Sequence, residues 1–86
     1  MPLRKRIVWL GPARRALLKH RNVAQRIVQK LEAYASDPKS SANQVTELRG
    51  RPLKRMRVGD FRLLFEETSE EILVVDLGPR SEIYDR

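Results

Sequence analysis

Arginines alternate with apolar residues along positions 55–65, on both sides of a Gly-Asp pair at 59–60. A Gly-Asp pair between two alternating runs is typical of a β-hairpin with a two-residue turn. This turn would place Arg57 directly opposite Arg62, with Arg55 on the same face of the hairpin. The apolar residues would then share the other face and belong to the core, namely Met56, Val58, Phe61, Leu63 and Phe65.

Two arginines that face each other across a sheet repel, at a cost of roughly 0.2–1 kcal/mol. The arrangement makes sense if an anion lies between them. The alternative is a solvated face, on which each arginine extends toward Glu66 or Asp76. Arg80 and Tyr84 favour the anion, because they follow the next predicted strand and can reach the same face. Guanidinium groups bind phosphate with two parallel hydrogen bonds, and a phenol can stack on a base.

The elements that must position these groups can be read from hydrophobic periodicity and from turn residues. The pattern predicts a strand over 6–10 and a helix that begins at Pro12. A second helix begins at a capping box of Asn22 and Gln25 and ends at Asp37-Pro38. Residues 39–50 read as a loop, and the hairpin over 55–65 follows. The last strand, 71–77, has a near-continuous apolar run that predicts burial on both faces, and Gly78-Pro79 ends it.

This order predicts a small α+β domain that spans residues 1–86, with the order β-α-α-β-β-β. We expect an antiparallel sheet with both helices packed on one face. The 86 residues suffice for one domain and no more.

The chain is strongly basic, with 18 Lys and Arg against 11 Asp and Glu and a net charge of +7. Such a balance predicts a polyanionic partner, either a nucleic acid or a protein with an acidic segment. The absence of cysteine and the single histidine exclude disulfide frameworks, cysteine nucleophiles and multi-histidine metal sites. We expect no metal site and no cofactor. No apolar run is long enough to span a bilayer, so we expect a cytoplasmic protein without a membrane partner.

Three segments of the second half resemble the RelE/ParE superfamily of type II toxin–antitoxin toxins. They are Leu48-Arg49-Gly50, the hairpin segment 55–65, and the run Gly78-Pro-Arg-Ser-Glu-Ile-Tyr84. The first half is similar in layout, with a strand and two helices. The resemblance implies the α+β fold described above and a toxin that is paired with a smaller antitoxin. RelE-like members cut mRNA in the ribosomal A site, whereas ParE-like members inhibit DNA gyrase.

The resemblance also implies roles for individual residues. Lys54 stands where many members have an aromatic residue, and Pro79 replaces a common His or Lys. Arginine is too basic to accept a proton readily, so the arginines are expected to orient and stabilise the phosphate. Tyr84 would stack on a base or help to transfer a proton. The predicted catalytic residues are Arg57, Arg62, Arg80 and Tyr84, and the predicted substrate-binding residues are Arg49, Arg51, Lys54 and Arg55.

The sequence therefore predicts an mRNA interferase, a metal-independent endoribonuclease that inhibits translation. Its expected partners are an acidic, RelB-like antitoxin, mRNA and the ribosome. Promoter DNA would be bound only through the antitoxin, because this chain shows no helix-turn-helix. Two alternatives remain open at this point. One is a ParE-like inhibitor of DNA gyrase without nuclease chemistry, and the other is a plain nucleic-acid-binding module.

Overall fold

A computed structural model describes residues 4–50 and 52–83. The described residues form an α+β domain, which confirms the predicted class, with two helices and five strands. No helix in these two ranges is long and apolar enough to cross a membrane. The elements are β1 (Arg6–Trp9), α1 (Gly11–Lys19), α2 (Arg21–Ser36), a 3₁₀ segment (Pro38–Gln44), β2 (Val45–Glu47), β3 (Lys54–Val58), β4 (Phe61–Glu67) and β5 (Glu71–Pro79).

The five strands form one sheet in the order β1-β5-β4-β3-β2. The pairings β2–β3, β3–β4 and β4–β5 are antiparallel, and the β3–β4 hairpin is as predicted. β1 pairs parallel with β5, so the sheet is mixed rather than wholly antiparallel. β2 lies in the segment that was predicted to be a loop. Its three residues become a strand because they pair with the edge of β3, where Thr46 lies opposite Arg55.

The two helices are joined at His20, which leaves no loop between them. Pro12 lies in the first turn of α1, where its missing N–H costs nothing. The predicted capping box at Asn22 is wrong, because α2 already begins at Arg21 and no side chain caps it. The end of α2 follows the prediction, since Asp37 is the C-cap residue ahead of Pro38.

The hairpin register is the one that the sequence predicts. Arg57 lies opposite Arg62, and Met56 lies opposite Leu63. The apolar face of the hairpin packs against the helices, while the arginine face, which we call the open face, lies on the other side of the sheet. The buried core residues are Ala13, Ile27, Leu31, Tyr34, Ala35, Met56, Val58, Leu63, Phe65, Ile72, Val74 and Leu77, and Phe61 packs against them half-buried.

β5 is an interior strand, between β1 and β4. Its burial follows a one-faced pattern, in which Ile72, Val74 and Leu77 are buried while Leu73 and Val75 are only partly covered. The prediction of burial on both faces is therefore wrong, because both helices cover the same face of the sheet.

Gly59 occupies the hairpin turn with a positive φ of 59°, and a Cβ there would lie 3.1 Å from Nη2 of Arg26. Gly50 has a similar φ of 70° but open space around it. We expect Gly50→Ala to lower the free energy of unfolding by about 1–2 kcal/mol through backbone strain alone. We expect Gly59→Ala to lower the free energy of unfolding by a larger amount, because the Arg26 side chain must also move to make room for the new Cβ. Urea unfolding of the two variants measures the difference, and equal losses would contradict a close approach of Arg26 to the turn.

Candidate nucleic-acid interface

Three arginines line a polar depression on the open face. Arg57 and Arg62 lie directly opposite each other on β3 and β4, and Arg55 lies two residues before Arg57 on the same face. The depression has a volume of about 100 Å³ and lies beside β2. Its lining consists of Asn43, Gln44, Thr46, Arg55, Arg57 and Arg62, and we call it the arginine pocket.

The Arg62 guanidinium is held against the hairpin turn. Its Nη1 donates hydrogen bonds to the carbonyl oxygens of Gly59 and Phe61, both at 3.0 Å. Burial lowers the pKa of Arg62, and the positive charges of Arg80, Arg57 and Arg55 lower it further. The negative charge of Asp60 acts against this and raises the pKa of Arg62. The Arg62 guanidinium stays protonated, but its positive charge is less well stabilised than in water, and an anion bound in the pocket would stabilise it.

The end of β5 is tied to the same turn. The backbone N–H of Arg80 donates to the carbonyl oxygen of Asp60 at 2.6 Å, which fixes Arg80 beside the hairpin. The next residues form a turn, in which the N–H groups of Glu82 and Ile83 both donate to the carbonyl oxygen of Pro79. This arrangement brings a fourth cation close enough to Arg62 to lower its pKa, although Arg80 does not line the pocket itself.

Gly78 allows the turn that follows β5 to lie close to the sheet. Gly78 is buried opposite Arg62, and a Cβ built on it would lie 3.1 Å from Cγ1 of Ile83. The missing side chain thus leaves room for Ile83 on the open face. The chain after β5 consequently folds back toward Arg62.

Some residues of this site could not be found from the sequence. Asn43, Gln44 and Thr46 line the pocket although their segment reads as a loop. Their polar character gave no signal that distinguishes them from other loop residues. The side chain of Arg26, from α2, also lies beside the hairpin turn at Gly59.

Lys54 lies away from the arginine pocket, on the helix side of the sheet. Its Nζ donates to Oε1 of Glu67 at 2.7 Å. Glu67 also accepts hydrogen bonds from Lys5 at 2.7 Å and from the hydroxyl of Tyr34 at 2.6 Å. These four residues form a polar cluster between β3, β4, α2 and the residue before β1. Lys54 thus has an internal partner, which explains its position outside the pocket.

The other predicted residues are distributed as follows. Arg49 is exposed in the turn after β2, outside the lining of the arginine pocket. Arg51 and Tyr84 lie outside the described residues. The structure therefore brings together Arg55, Arg57, Arg62 and Arg80, and it leaves Arg49 and Lys54 apart from them.

The site can bind an anion and stabilise negative charge. Several guanidinium groups that converge on one depression are suited to a phosphate diester. In residues 4–50 and 52–83, no three His, Cys, Asp or Glu side chains come together in a way that could hold a metal ion. His20 lies on the helix side, where its ring packs edge-on against Phe61 at 4.9 Å.

Comparison with known proteins adds two findings to this geometry. Residues 7–84 match the family model described as the ParE toxin of the type II toxin–antitoxin system parDE. The fold is similar to that of a chain in the toxin–antitoxin complex RelBE2 from Mycobacterium tuberculosis, with a TM-score of 0.63. The two chains are 19% identical over 91% of this chain and 100% of that chain. A search of curated protein sequences finds no match.

Proposed function

The chain belongs to the ParE toxin family of type II toxin–antitoxin systems. From its arginine pocket we propose that it acts as an mRNA interferase. It would cut mRNA on the ribosome without a metal ion and so inhibit translation. Its expected place of action is the cytoplasm, where mRNA and ribosomes are found. The match to a toxin–antitoxin complex supports a cognate antitoxin as its partner. We propose that this antitoxin is acidic and that it alone provides the contact with promoter DNA.

The observation that supports RNA cleavage is the arginine pocket. Three arginines line a depression of about 100 Å³, a size and charge suited to one phosphate group of an RNA backbone. The two facing arginines repel each other, and the pKa of Arg62 is lowered by burial and by its cationic neighbours. These costs are offset when a phosphate enters, since each guanidinium can then donate to its oxygens.

Cleavage by this route is an attack of the ribose 2′-hydroxyl on the adjacent phosphorus. The attack adds negative charge to the phosphate oxygens, and the arginines would stabilise this charge in the transition state. A proton must also leave the 2′-hydroxyl, and another must reach the 5′-oxygen. Arginine is a poor base. We therefore propose that Arg57, Arg62 and Arg80 position and stabilise the phosphate, while Tyr84 remains the predicted group for stacking or proton transfer.

A second candidate function is inhibition of DNA gyrase. The description of the matching family model names the ParE toxin of parDE, and RelE-like and ParE-like toxins share one fold. Inhibition requires binding and no chemistry, so it would not need a proton acceptor in the arginine pocket. The two candidates differ in their products, because one leaves cut mRNA and the other leaves a change in DNA supercoiling.

Brief induction of the toxin, followed by primer extension on several mRNAs, separates the two candidates. We expect cuts within codons, and we expect Arg57→Ala to reduce them by roughly 10²–10³-fold, the usual loss on removing one charge-stabilising donor. Arg21→Ala is the matched control, since it removes an exposed arginine of α2. A toxic wild-type chain that leaves mRNA uncut and blocks supercoiling by purified gyrase would overturn the proposal.

A further inference from the structure

The wall of the arginine pocket beside β2 is built from uncharged polar side chains. Val45 packs against the core, so its neighbours Gln44 and Thr46 lie on the open face of the sheet. Both line the pocket, where Gln44 is half-buried and Thr46 is exposed. Thr46 lies opposite Arg55 in the pairing of β2 with β3. The pocket therefore has a polar side without charge next to its cationic side.

The two sides of the pocket form a row across three strands. Continued by two residues, the register of β2 with β3 brings Gln44 next to Arg57, which lies opposite Arg62. Because neighbouring strands are about 5 Å apart, the Gln44 backbone is about 10 Å from that of Arg62. A phosphate held between the two guanidinium groups would therefore lie within reach of the Gln44 amide. Residues 4–50 and 52–83 provide no hydrogen bond to the side chains of Gln44 and Thr46, so both are available to a ligand.

The polar side supplies a hydrogen-bonding capacity that the arginines lack. A guanidinium only donates, whereas an amide and a hydroxyl can both donate and accept. The oxygens of a phosphate diester only accept, so a phosphate alone would leave the acceptors of the polar side unused. In an RNA strand the ribose beside the phosphate carries a 2′-hydroxyl, which both donates and accepts and distinguishes RNA from DNA. A base also carries donors, but a pocket of about 100 Å³ that already holds a phosphate has no room for its ring.

We propose that Gln44 and Thr46 form a ribose subsite, which binds the 2′-hydroxyl next to the phosphate held by Arg57 and Arg62. The proposal rests on the proposed RNA substrate, but it concerns binding and requires no cleavage. An amide can hold the hydroxyl in place without removing its proton, so the subsite selects RNA and supplies no base. A DNA strand would keep the phosphate contacts and lose these hydrogen bonds. The toxin should therefore bind RNA more tightly than DNA.

The test compares a short single-stranded RNA with the DNA of the same sequence, in which deoxyuridine replaces uridine. Fluorescence anisotropy at one fixed salt concentration gives both dissociation constants, since phosphate contacts depend on salt. We expect the wild-type chain to bind the RNA roughly 3–10-fold more tightly, the usual worth of one hydrogen bond. The double variant Gln44→Leu with Thr46→Val should bind both strands with the affinity that the wild type has for DNA.

Two controls separate the ribose subsite from the phosphate site and from the fold. Gln29→Leu makes the same change from amide to leucine at an exposed position of α2, and it should keep the preference for RNA. Arg57→Ala should weaken the binding of RNA and DNA alike, because it removes a phosphate contact. An unchanged affinity of the double variant for DNA shows that it is folded and that its arginines are in place.

Equal affinity of the wild-type chain for the two strands would overturn the proposal, and so would a double variant that still prefers RNA. Repeating the titration with strands of different base composition tests whether the polar side reads a base instead. A double variant that loses a preference for one base, and keeps its preference for RNA, would also overturn the ribose subsite. A wild-type chain that prefers RNA but leaves mRNA uncut in cells would support the subsite and contradict the proposed interferase.

Discussion

Replacing Glu67 with alanine is expected to lower the free energy of unfolding by roughly 3 kcal/mol, the loss on breaking a buried ion pair. The Glu67 side chain is only 8% exposed, and it accepts hydrogen bonds from Lys5, Lys54 and Tyr34. Its removal would leave the Lys54 ammonium and the Tyr34 hydroxyl without this acceptor, while Lys5 would keep its hydrogen bond to the carbonyl oxygen of Thr68. A small domain has a stability of about 5–15 kcal/mol, so a large part would be lost. Urea unfolding at neutral pH gives the value.

Glu67→Gln provides the matched variant, because it keeps the shape of the side chain and removes only the charge. We expect a smaller loss than for alanine, since an amide oxygen in the place of Oε1 can still accept the hydrogen bonds from Lys54 and Tyr34. Tyr34→Phe should cost about 1 kcal/mol, the usual net worth of one hydrogen bond. A Glu67→Ala variant as stable as the wild type would show that the polar cluster contributes nothing.

The same cluster gives the wild-type protein a defined acid sensitivity. Burial alone would raise the pKa of Glu67, but the hydrogen bonds from Lys5, Lys54 and Tyr34 outweigh it and lower the pKa from 4.5 to about 2. A carboxyl whose pKa is lowered on folding stabilises the protein above its unfolded pKa. This contribution of about 3 kcal/mol is therefore complete above pH 5 and is lost as the pH falls from 5 to 2. Glu67→Gln should be nearly flat over this window by comparison.

Arg62→Ala is expected to reduce mRNA cleavage by roughly 10²–10³-fold while the protein remains folded. The Arg62 guanidinium has Arg80, Arg57 and Arg55 as its positive neighbours on the open face. The substitution removes one of the groups proposed to bind the phosphate. It also removes the repulsion between Arg62 and its cationic neighbours. The two hydrogen bonds to backbone carbonyls are lost, so we expect a stability change within about 1 kcal/mol. Primer extension and thermal unfolding measure the two effects separately.

Arg80→Ala should give a similar loss of cleavage, because its side chain starts at the end of β5, beside the same turn. Arg62→Lys keeps the charge but not the forked geometry, and it should restore only part of the activity. Arg49→Ala, in an exposed turn outside the pocket lining, is the control with the smallest expected effect. If both Arg62→Ala and Arg80→Ala stayed fully toxic, the arginine pocket would have no part in the toxic activity.

The register of the hairpin could be predicted from the sequence because everything that sets it is local. The Gly59-Asp60 turn fixes the pairing, and strict alternation assigns each side chain to a face. The grouping of Arg55, Arg57 and Arg62 follows from this alone. Alternation also places Lys54 on the face of Met56, where the structure has it.

Long-range relations could not be predicted in the same way. The parallel pairing of β1 with β5 joins Arg6 to Glu71, and nothing near either residue indicates it. β2 is three residues long within a segment rich in Ser and Asn, and it is a strand only because β3 offers an edge. The pairing of β2 with β3 brings Asn43, Gln44 and Thr46 to the arginine pocket. Because that pairing could not be predicted, these three lining residues were not predicted either.

The parallel pairing of β1 with β5 also has a consequence for the order of folding. The strands β3, β4 and β5 are joined by short turns, so they can associate early at little entropic cost. β1 must close a loop of 65 positions, from Arg6 to Glu71, before it gains any contact with the sheet. Non-local pairings of this kind slow folding. We therefore expect β1 to join last, and until then β5 presents an unpaired edge on which other chains could aggregate. Pairing with β1 thus covers the long edge of β5 and leaves the four-residue β1 as the edge of the folded sheet.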